Sequence, residues 1–238
     1  MIEAAGVSKV FRLPRHRRHA LRALPGGARG FDHVAALQDV SFHVATGEFV
    51  GVVGRNGSGK STLLRLLAGI YPPTAGRLVL GGAVAPILDL GAGFHGMLPV
   101  ADNVLLYGVL LGLPRAELRA ELAEILARAG LLDYAEAPLE RVSSGMRLRL
   151  AFTVALRSAA PLLLIDEALA VGDAAFREQC VADLRALRAR GRTAVLVSHE
   201  PDLLGALCDR LLVLDGGRLA GAGPVPAMLE LYGALPSR

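Results

Sequence analysis

Short unbroken apolar runs recur along this chain, and most of them stop at glycine, serine or acid. Phe49-Val50-Gly51-Val52-Val53, Leu162-Leu163-Leu164-Ile165 and Ala194-Val195-Leu196-Val197 contain no polar side chain. That pattern predicts strands of a parallel sheet covered on both faces. Val34 to Val44 reads as a further strand ahead of a turn at Thr46-Gly47-Glu48, and Pro72-Pro73-Thr74-Ala75-Gly76 marks a turn before the strand Arg77-Leu78-Val79-Leu80. Leu118, Leu122, Ile125, Leu126 and Ala129 recur at helical spacing, with Gly130 placed as a helix C-terminus. A helical stretch around Val181 to Arg190 and a turn at Gly191 separate the last two apolar runs. Arg210 to Leu214 and Arg218 to Gly221 flank Asp215-Gly216-Gly217 and predict a hairpin, and Pro224 to Tyr232 reads as a short closing helix. Strands alternating with helices imply an α/β fold with crossover connections.

The first apolar run leads into Gly54-Arg55-Asn56-Gly57-Ser58-Gly59-Lys60-Ser61, which satisfies the phosphate-loop pattern G-x-x-x-x-G-K-[ST] at every fixed position. Glycines let successive backbone N–H groups turn toward phosphate oxygens. Lys60 adds a point charge at the terminal phosphates, and Ser61 offers a hydroxyl to magnesium. The helix expected from Leu63 to Ala68 would face the anion with its positive end. Strand, loop and helix in this order predict a nucleoside triphosphate site; a chance glycine-rich turn is the bland alternative.

The second run ends in Asp166-Glu167, two carboxylates where a buried strand reaches the ligand-binding edge of a parallel sheet. Asp166 is placed to hold magnesium and Glu167 to polarise the attacking water; alone, the pair would read as helix capping. Val142-Ser143-Ser144-Gly145-Met146 opens the helical run Arg147 to Arg157, and capping by Ser143 or Ser144 would account for it without a nucleotide. His199, after the third run, would by itself be a surface or capping residue.

Composition narrows the setting. With 53% hydrophobic residues, 238 residues can bury a full core. The longest apolar stretch, Val104 to Leu113, is too short to cross a bilayer and the N-terminus lacks a signal-peptide core, so a soluble cytoplasmic chain is expected. Cys180 and Cys208 fit no metal or redox spacing and read as idle thiols. The net charge of +4 suggests anionic partners. Positive charge gathers at Arg12, Arg15, Arg17, Arg18 and Arg22, in a segment read as a solvated loop or as a surface for phospholipid or polyanionic cargo.

Taken together, the phosphate loop, the serine-glycine element, the apolar run ending in Asp-Glu and the strand ending in Ser198-His199 resemble the ATPase subunit of an ABC transporter over almost the whole chain. The resemblance implies a P-loop NTPase ABC ATPase core with an N-terminal antiparallel β subdomain and an inserted helical subdomain. Residues 1–238 would form one domain, with 1–85 and 160–238 as the core and 86–159 as the helical signature region. It implies ATP and magnesium, with Phe11 stacking on adenine and Gly54, Arg55, Asn56, Gly57, Ser58, Gly59, Lys60, Ser61 and Thr62 around the phosphates. Lys60, Glu167 and His199 would be catalytic, with His199 as the switch histidine; Ser61 and Asp166 would hold the metal. Ser143, Ser144, Gly145 and Met146 would cap the ATP of the opposite subunit in a head-to-tail homodimer, and Asp173 would couple the two sites.

Two departures from the common pattern point to a branch. Val142-Ser143-Ser144-Gly145-Met146 replaces Leu-Ser-Gly-Gly-Gln, and Ile87-Leu88-Asp89-Leu90-Gly91-Ala92-Gly93-Phe94-His95 replaces the loop that carries a glutamine, leaving Asp89 as a candidate near the metal. Both, with Ile165 to Phe176, are similar to ABC exporters of bacterial surface polysaccharides, in the form without a C-terminal carbohydrate-binding domain. That implies a polytopic transmembrane permease as partner, docking near Gly91 to His95, and a place at the cytoplasmic face of the inner membrane. The cargo would be a lipid-linked polysaccharide such as O-antigen or capsule, not selected directly by this subunit, and no nucleic acid is expected. The rivals are another cargo such as teichoic acid, a non-transport ABC ATPase gripping nucleic acid through Arg12 to Arg22, and a regulatory module that binds nucleotide without turnover.

Overall fold

The computed structural model describes residues 1–14, 31–88, 90–166 and 174–236. The basic residues Arg15 to Arg22 therefore lie outside the described residues, as do Asp89, Glu167 and Asp173. Element by element, β1 (Ile2–Pro14), β2 (Phe31–Val44), β3 (Phe49–Gly54), α1 (Lys60–Leu67), β4 (Ala75–Leu80) and β5 (Val84–Ile87) come first. Helices α2 (Val100–Leu110), α3 (Arg115–Ala120), α4 (Leu122–Arg128) and α5 (Ser144–Ala155) follow. Then come β6 (Leu162–Asp166), α6 (Ala174–Ala189), β7 (Thr193–Val197), α7 (Pro201–Leu207), β8 (Arg210–Asp215), β9 (Arg218–Gly223) and α8 (Val225–Ala234).

The described residues form two sheets, one ordered β5-β6-β7-β3-β8-β9 and one ordered β2-β1-β4. The larger is parallel from β5 to β8, as the polar-free runs predict, and closes with the antiparallel β8–β9 hairpin. Alternate residues of its central strands feed two cores. Phe49, Val53, Leu163, Ile165, Ala194, Leu196, Leu211 and Val213 face a core completed by α6, α7 and α8. Val50, Val52, Leu162, Leu164, Val195, Val197, Leu212 and Leu214 face the opposite core, completed by α1 and the smaller sheet. Burial on both faces explains why polar positions are missing from these strands.

The smaller, antiparallel sheet is built differently. β1 pairs with β2 and β4, with register shifts between Ala4 and Val10. Hydroxyls take up N–H groups around this irregular stretch: Ser41 Oγ accepts from Gly6 (2.8 Å), Ser8 Oγ from Asp39 (2.9 Å) and Thr74 Oγ1 from Val10 (3.0 Å).

A third core, from Val100 to Val154, holds α2 to α5 together. The amphipathic helix expected through Leu118 to Ala129 is two helices, α3 and α4, with a break at Glu121 (φ −97°, ψ 2°). The boundary expected at residue 85 falls inside β5, whose Pro86 and Ile87 still pair in register with Leu164 and Ile165. Pro86 is tolerated because β5 is an edge strand and needs no donor on its open side. Among the described residues, no helix is long and apolar enough to cross a membrane.

Candidate functional site

Three parallel strands finish side by side. In register, Val197 lies beside Asp166 on one flank and Val52 on the other, so Asp166, the Ser198-His199 pair and the Gly54 loop share one sheet edge. Topology alone thus brings together motifs separated by more than a hundred residues in the chain.

The loop from Gly54 to Gly59 is shaped by what its glycines omit. A Cβ on Gly54 would stand 2.4 Å from the Leu214 carbonyl oxygen, and one on Gly59 would stand 2.7 Å from that of Ala36. Gly57 and Gly59 have φ of 80° and 106°, which side chains disfavour. Gly59 stands at the N-cap of α1 with no side-chain cap and no acid in the first turn, so the positive end of the helix is uncontested. Lys60 is buried, its Nζ donating to the carbonyls of Gly54 (2.7 Å) and Arg55 (3.1 Å). Those bonds curl the side chain back over the loop. Ser58 Oγ is buried and, among the described residues, has no hydrogen-bond partner.

A cleft of about 560 Å³ opens over this loop. Asn56, Gly57, Gly59, Lys60, Ser61, Thr62 and Asp166 line one side, and Val34, Ala35 and Ala36 of β2 line the other. An array of backbone N–H groups, a lysine, hydroxyls and one carboxylate in a single cleft can hold a polyphosphate with a hard divalent cation between phosphate and acid. Ser61 and Asp166 fit a hard cation by their chemistry, since both carry oxygen donors and both line this cleft.

Phe11, expected at the adenine, does not line this cleft. Its ring packs edge-on against Tyr71 at 5.3 Å between centroids, with the Lys9 ammonium over both rings. Phe11 pairs in register with Val34, which with Ala35 and Ala36 lines the cleft, and nothing in those small apolar side chains marks them in the sequence. His199 is exposed at the same sheet edge, while Ser198 is buried and its Oγ accepts from Glu200 N–H (3.1 Å).

The serine-glycine element starts α5. Ser143 is its N-cap, its Oγ accepting from Met146 N–H at 3.2 Å. Ser143 and Ser144 are exposed, with Gly145 and Met146 half-buried behind them. The element thus presents an open helix N-terminus and a hydroxyl, Ser144, not engaged in the cap. The loop after β5 is pinned by Asn103, fully buried on α2. Its Oδ1 accepts from His95 N–H (2.7 Å), and its Nδ2 donates to the carbonyls of His95, Leu98 and Pro99.

Comparison with known proteins agrees with this arrangement. Residues 37–170 match the family described as ABC transporter. The O-antigen export system ATP-binding protein RfbB of Myxococcus xanthus is 43% identical over 190 residues, covering 80% of this chain and 44% of that protein. The protein of the same name from Klebsiella pneumoniae is 41% identical over 197 residues, covering 83% and 80%. The teichoic acids export ATP-binding protein TagH of Listeria innocua is 36% identical over 197 residues, covering 83% and 58%. The chain therefore spans less than half of the Myxococcus relative's length. A solved dimeric ATP-binding cassette in a post-hydrolysis state with ADP and Pi superposes with a TM-score of 0.77 at 21% identity, covering 94% of this chain and 99% of that one.

Proposed function

The chain belongs to the ABC transporter family, and from that premise we propose that it is the ATP-hydrolysing subunit of an exporter of lipid-linked surface polysaccharide, O-antigen or capsule. The observation that carries the ATPase reading is the cleft in which the phosphate loop, Lys60, Ser61 and Asp166 converge. The loop and Lys60 bind the phosphates. Ser61 and Asp166 would hold magnesium, which when bound neutralises charge on the phosphate oxygens. Glu167 takes a proton from water as its oxygen attacks the terminal phosphorus, the bond to the bridging oxygen breaks, and ADP leaves. His199 holds the terminal phosphate at the sheet edge, and Val34 to Ala36 offer the nucleotide an apolar wall.

The exposed N-terminus of α5 supports a second copy as partner, each chain placing Ser143 to Met146 against the nucleotide of the other. Asp173 would couple the two sites in this reading. The permease has a fitting surface: Met97, Leu98, Leu106, Val109 and Leu110 are exposed apolar residues on α2 and the segment before it, with Met97 75% exposed. Such a patch is characteristic of a protein-docking face. Gly91 to His95 adjoins it, since a Cβ on Gly93 would stand 2.6 Å from Leu110 Cδ1. Docking there would place the chain at the cytoplasmic face of the inner membrane. The Listeria relative's name favours teichoic acid as the second cargo reading.

Purified wild type should hydrolyse ATP with magnesium, Lys60→Ala should not, and Glu167→Gln should bind ATP and run as a dimer without turnover. Lys60→Ala turning over at the wild-type rate would remove the ATPase reading. In cells, Lys60→Ala should abolish surface glycan and leave polymer in the cytoplasm; surface glycan intact beside loss of teichoic acid would give the second cargo the place.

A further inference from the structure

The last elements of the chain meet the phosphate loop at two separate points. At the β8–β9 turn, Gly217 N–H donates to the Ser58 carbonyl (3.1 Å) and the Gly217 carbonyl accepts from Gln38 N–H (2.7 Å). The Gln38 side chain completes this junction, donating to the Gly216 carbonyl (3.2 Å) and accepting from Arg218 (3.0 Å). At the second point, the Arg55 guanidinium donates to the carbonyl of Leu235 at 2.7 Å.

Leu235 is the C-cap of α8, so its carbonyl stands at the negative end of a ten-residue helix, where a guanidinium is favoured. Arg55 also carries the backbone carbonyl that accepts from Ser58 N–H (3.1 Å) and from Lys60 Nζ (3.1 Å). One residue therefore joins the end of α8 to the lysine of the phosphate loop. The Arg55 side chain is half-buried, and its bond spans 180 positions of sequence.

The seat of α8 is itself specific. β9 reads Arg-Leu-Ala-Gly-Ala-Gly, and a Cβ on Gly221 would stand 2.5 Å from Leu231 Cδ2 and 3.2 Å from Met228 Sδ. The missing side chain lets α8 lie directly on the hairpin, where Met228, Leu231, Tyr232 and Leu235 pack on the core beneath. Moving α8 off this bed would pull on Arg55 and hence on the carbonyl that orients Lys60.

We propose that Arg55 is a positioning residue through which the docking of α8 sets the shape of the phosphate loop, so that ATP affinity depends on whether the C-terminal helix is seated. The proposal rests on the ATP-binding reading above. A charge-assisted bond that organises a binding loop is worth about tenfold in affinity. Arg55→Met should therefore weaken binding of a non-hydrolysable ATP analogue with magnesium about tenfold. KM for ATP should rise in step and kcat stay within about twofold, because the bond acts on ground state and transition state alike. Gly221→Val, which touches no residue of the loop, should produce a similar shift by unseating α8. The double variant should be no weaker than the worse single one, since both break the same tie. Arg55→Lys should recover part of the loss. Hydrogen exchange supplies a readout that a purely structural role would not move: the analogue should slow exchange across 226–235 in wild type and leave it unchanged in Arg55→Met.

If the two shifts multiply in the double variant, or Arg55→Met binds the analogue as wild type does, the coupling is overturned. Should Gly221→Val fail to fold, hydrogen exchange on Arg55→Met decides alone. Failure of wild type itself to bind the analogue, no better than Lys60→Ala, would instead overturn the ATP reading and this inference with it.

Discussion

Glu48 shows how one side chain closes the end of the sheet remote from the cleft. Its Oε2 accepts from Ala45 N–H (2.7 Å) and its Oε1 from Arg210 Nε (2.5 Å), fastening the start of β3 to the start of β8. Burial pushes the Glu48 carboxyl up, but the Arg210 hydrogen bond, the Ala45 amide and the charges of Arg210 and His43 outweigh it, and the net result lies below the ordinary carboxylate range. Because the folded value is the lower one, the pair stabilises the fold above the ordinary range, and the contribution drains as pH falls through the folded value. Arg210→Met should therefore cost about 1–2 kcal/mol at neutral pH and progressively less in acid, as read from denaturant unfolding across pH. A gap independent of pH would exclude the ion pair as its source. Cys180 and Cys208 give a second check. Burial first, then Asp183 and Asp209 respectively, push each thiol up to about 12, so native protein should resist a thiol reagent at neutral pH and react only when unfolded. Rapid labelling of folded protein would show that one of the two is exposed. Their reading as idle thiols was open in the sequence because no C-x-x-C spacing surrounds them. That Val34 to Ala36 border the cleft was not, since which end of a strand borders a cavity depends on a partner sheet that local pattern does not encode.

Legibility at the scale of elements follows how each element buries its face. Strands β3, β6 and β7 announce themselves because both faces are buried, while β1 does not, its alternation scrambled by register shifts. Helix α2 reads only as an apolar stretch, for its buried polar member, Asn103, sits among Val100, Val104 and Tyr107 and serves the loop before it. At α5 the two serines were interchangeable as caps in the sequence, and the structure separates them: Ser143 bonds the helix and Ser144 does not cap it. Ser143→Ala should accordingly lower stability by about 1 kcal/mol. Ser144→Arg should leave stability within about 0.5 kcal/mol, as a surface change does, while slowing hydrolysis and blocking the Glu167→Gln dimer. Thermal melts alongside turnover and gel filtration separate the two. If Ser144→Arg left turnover and the dimer intact, α5 would not face a neighbour's nucleotide.

Across the whole molecule, the cleft belongs to the two cores of the large sheet, whereas Ser143 and Ser144 ride on the third core of helices α2 to α5. Leu90 and Leu111 pack against both the α6–α8 core and the helical core, giving a narrow apolar seam between them. Across the same junction Arg128 of α4 pairs with Asp183 of α6, and that carboxylate raises the arginine's proton affinity through the hydrogen bond. With the side chains 37% and 29% exposed, such a pair contributes at most about 1 kcal/mol to stability. It joins α4 to α6, and the expected consequence is to restrain how the serine-bearing helices sit against the large sheet. Arg128→Gln and Asp183→Asn should each leave stability within about 1 kcal/mol and lower turnover about two- to fivefold. The double variant should match the worse single one, because the restraint is already lost with either partner. Were the two losses to multiply, each residue would act by a route of its own, and the helical core would have to be aligned through the apolar seam at Leu90 and Leu111 instead.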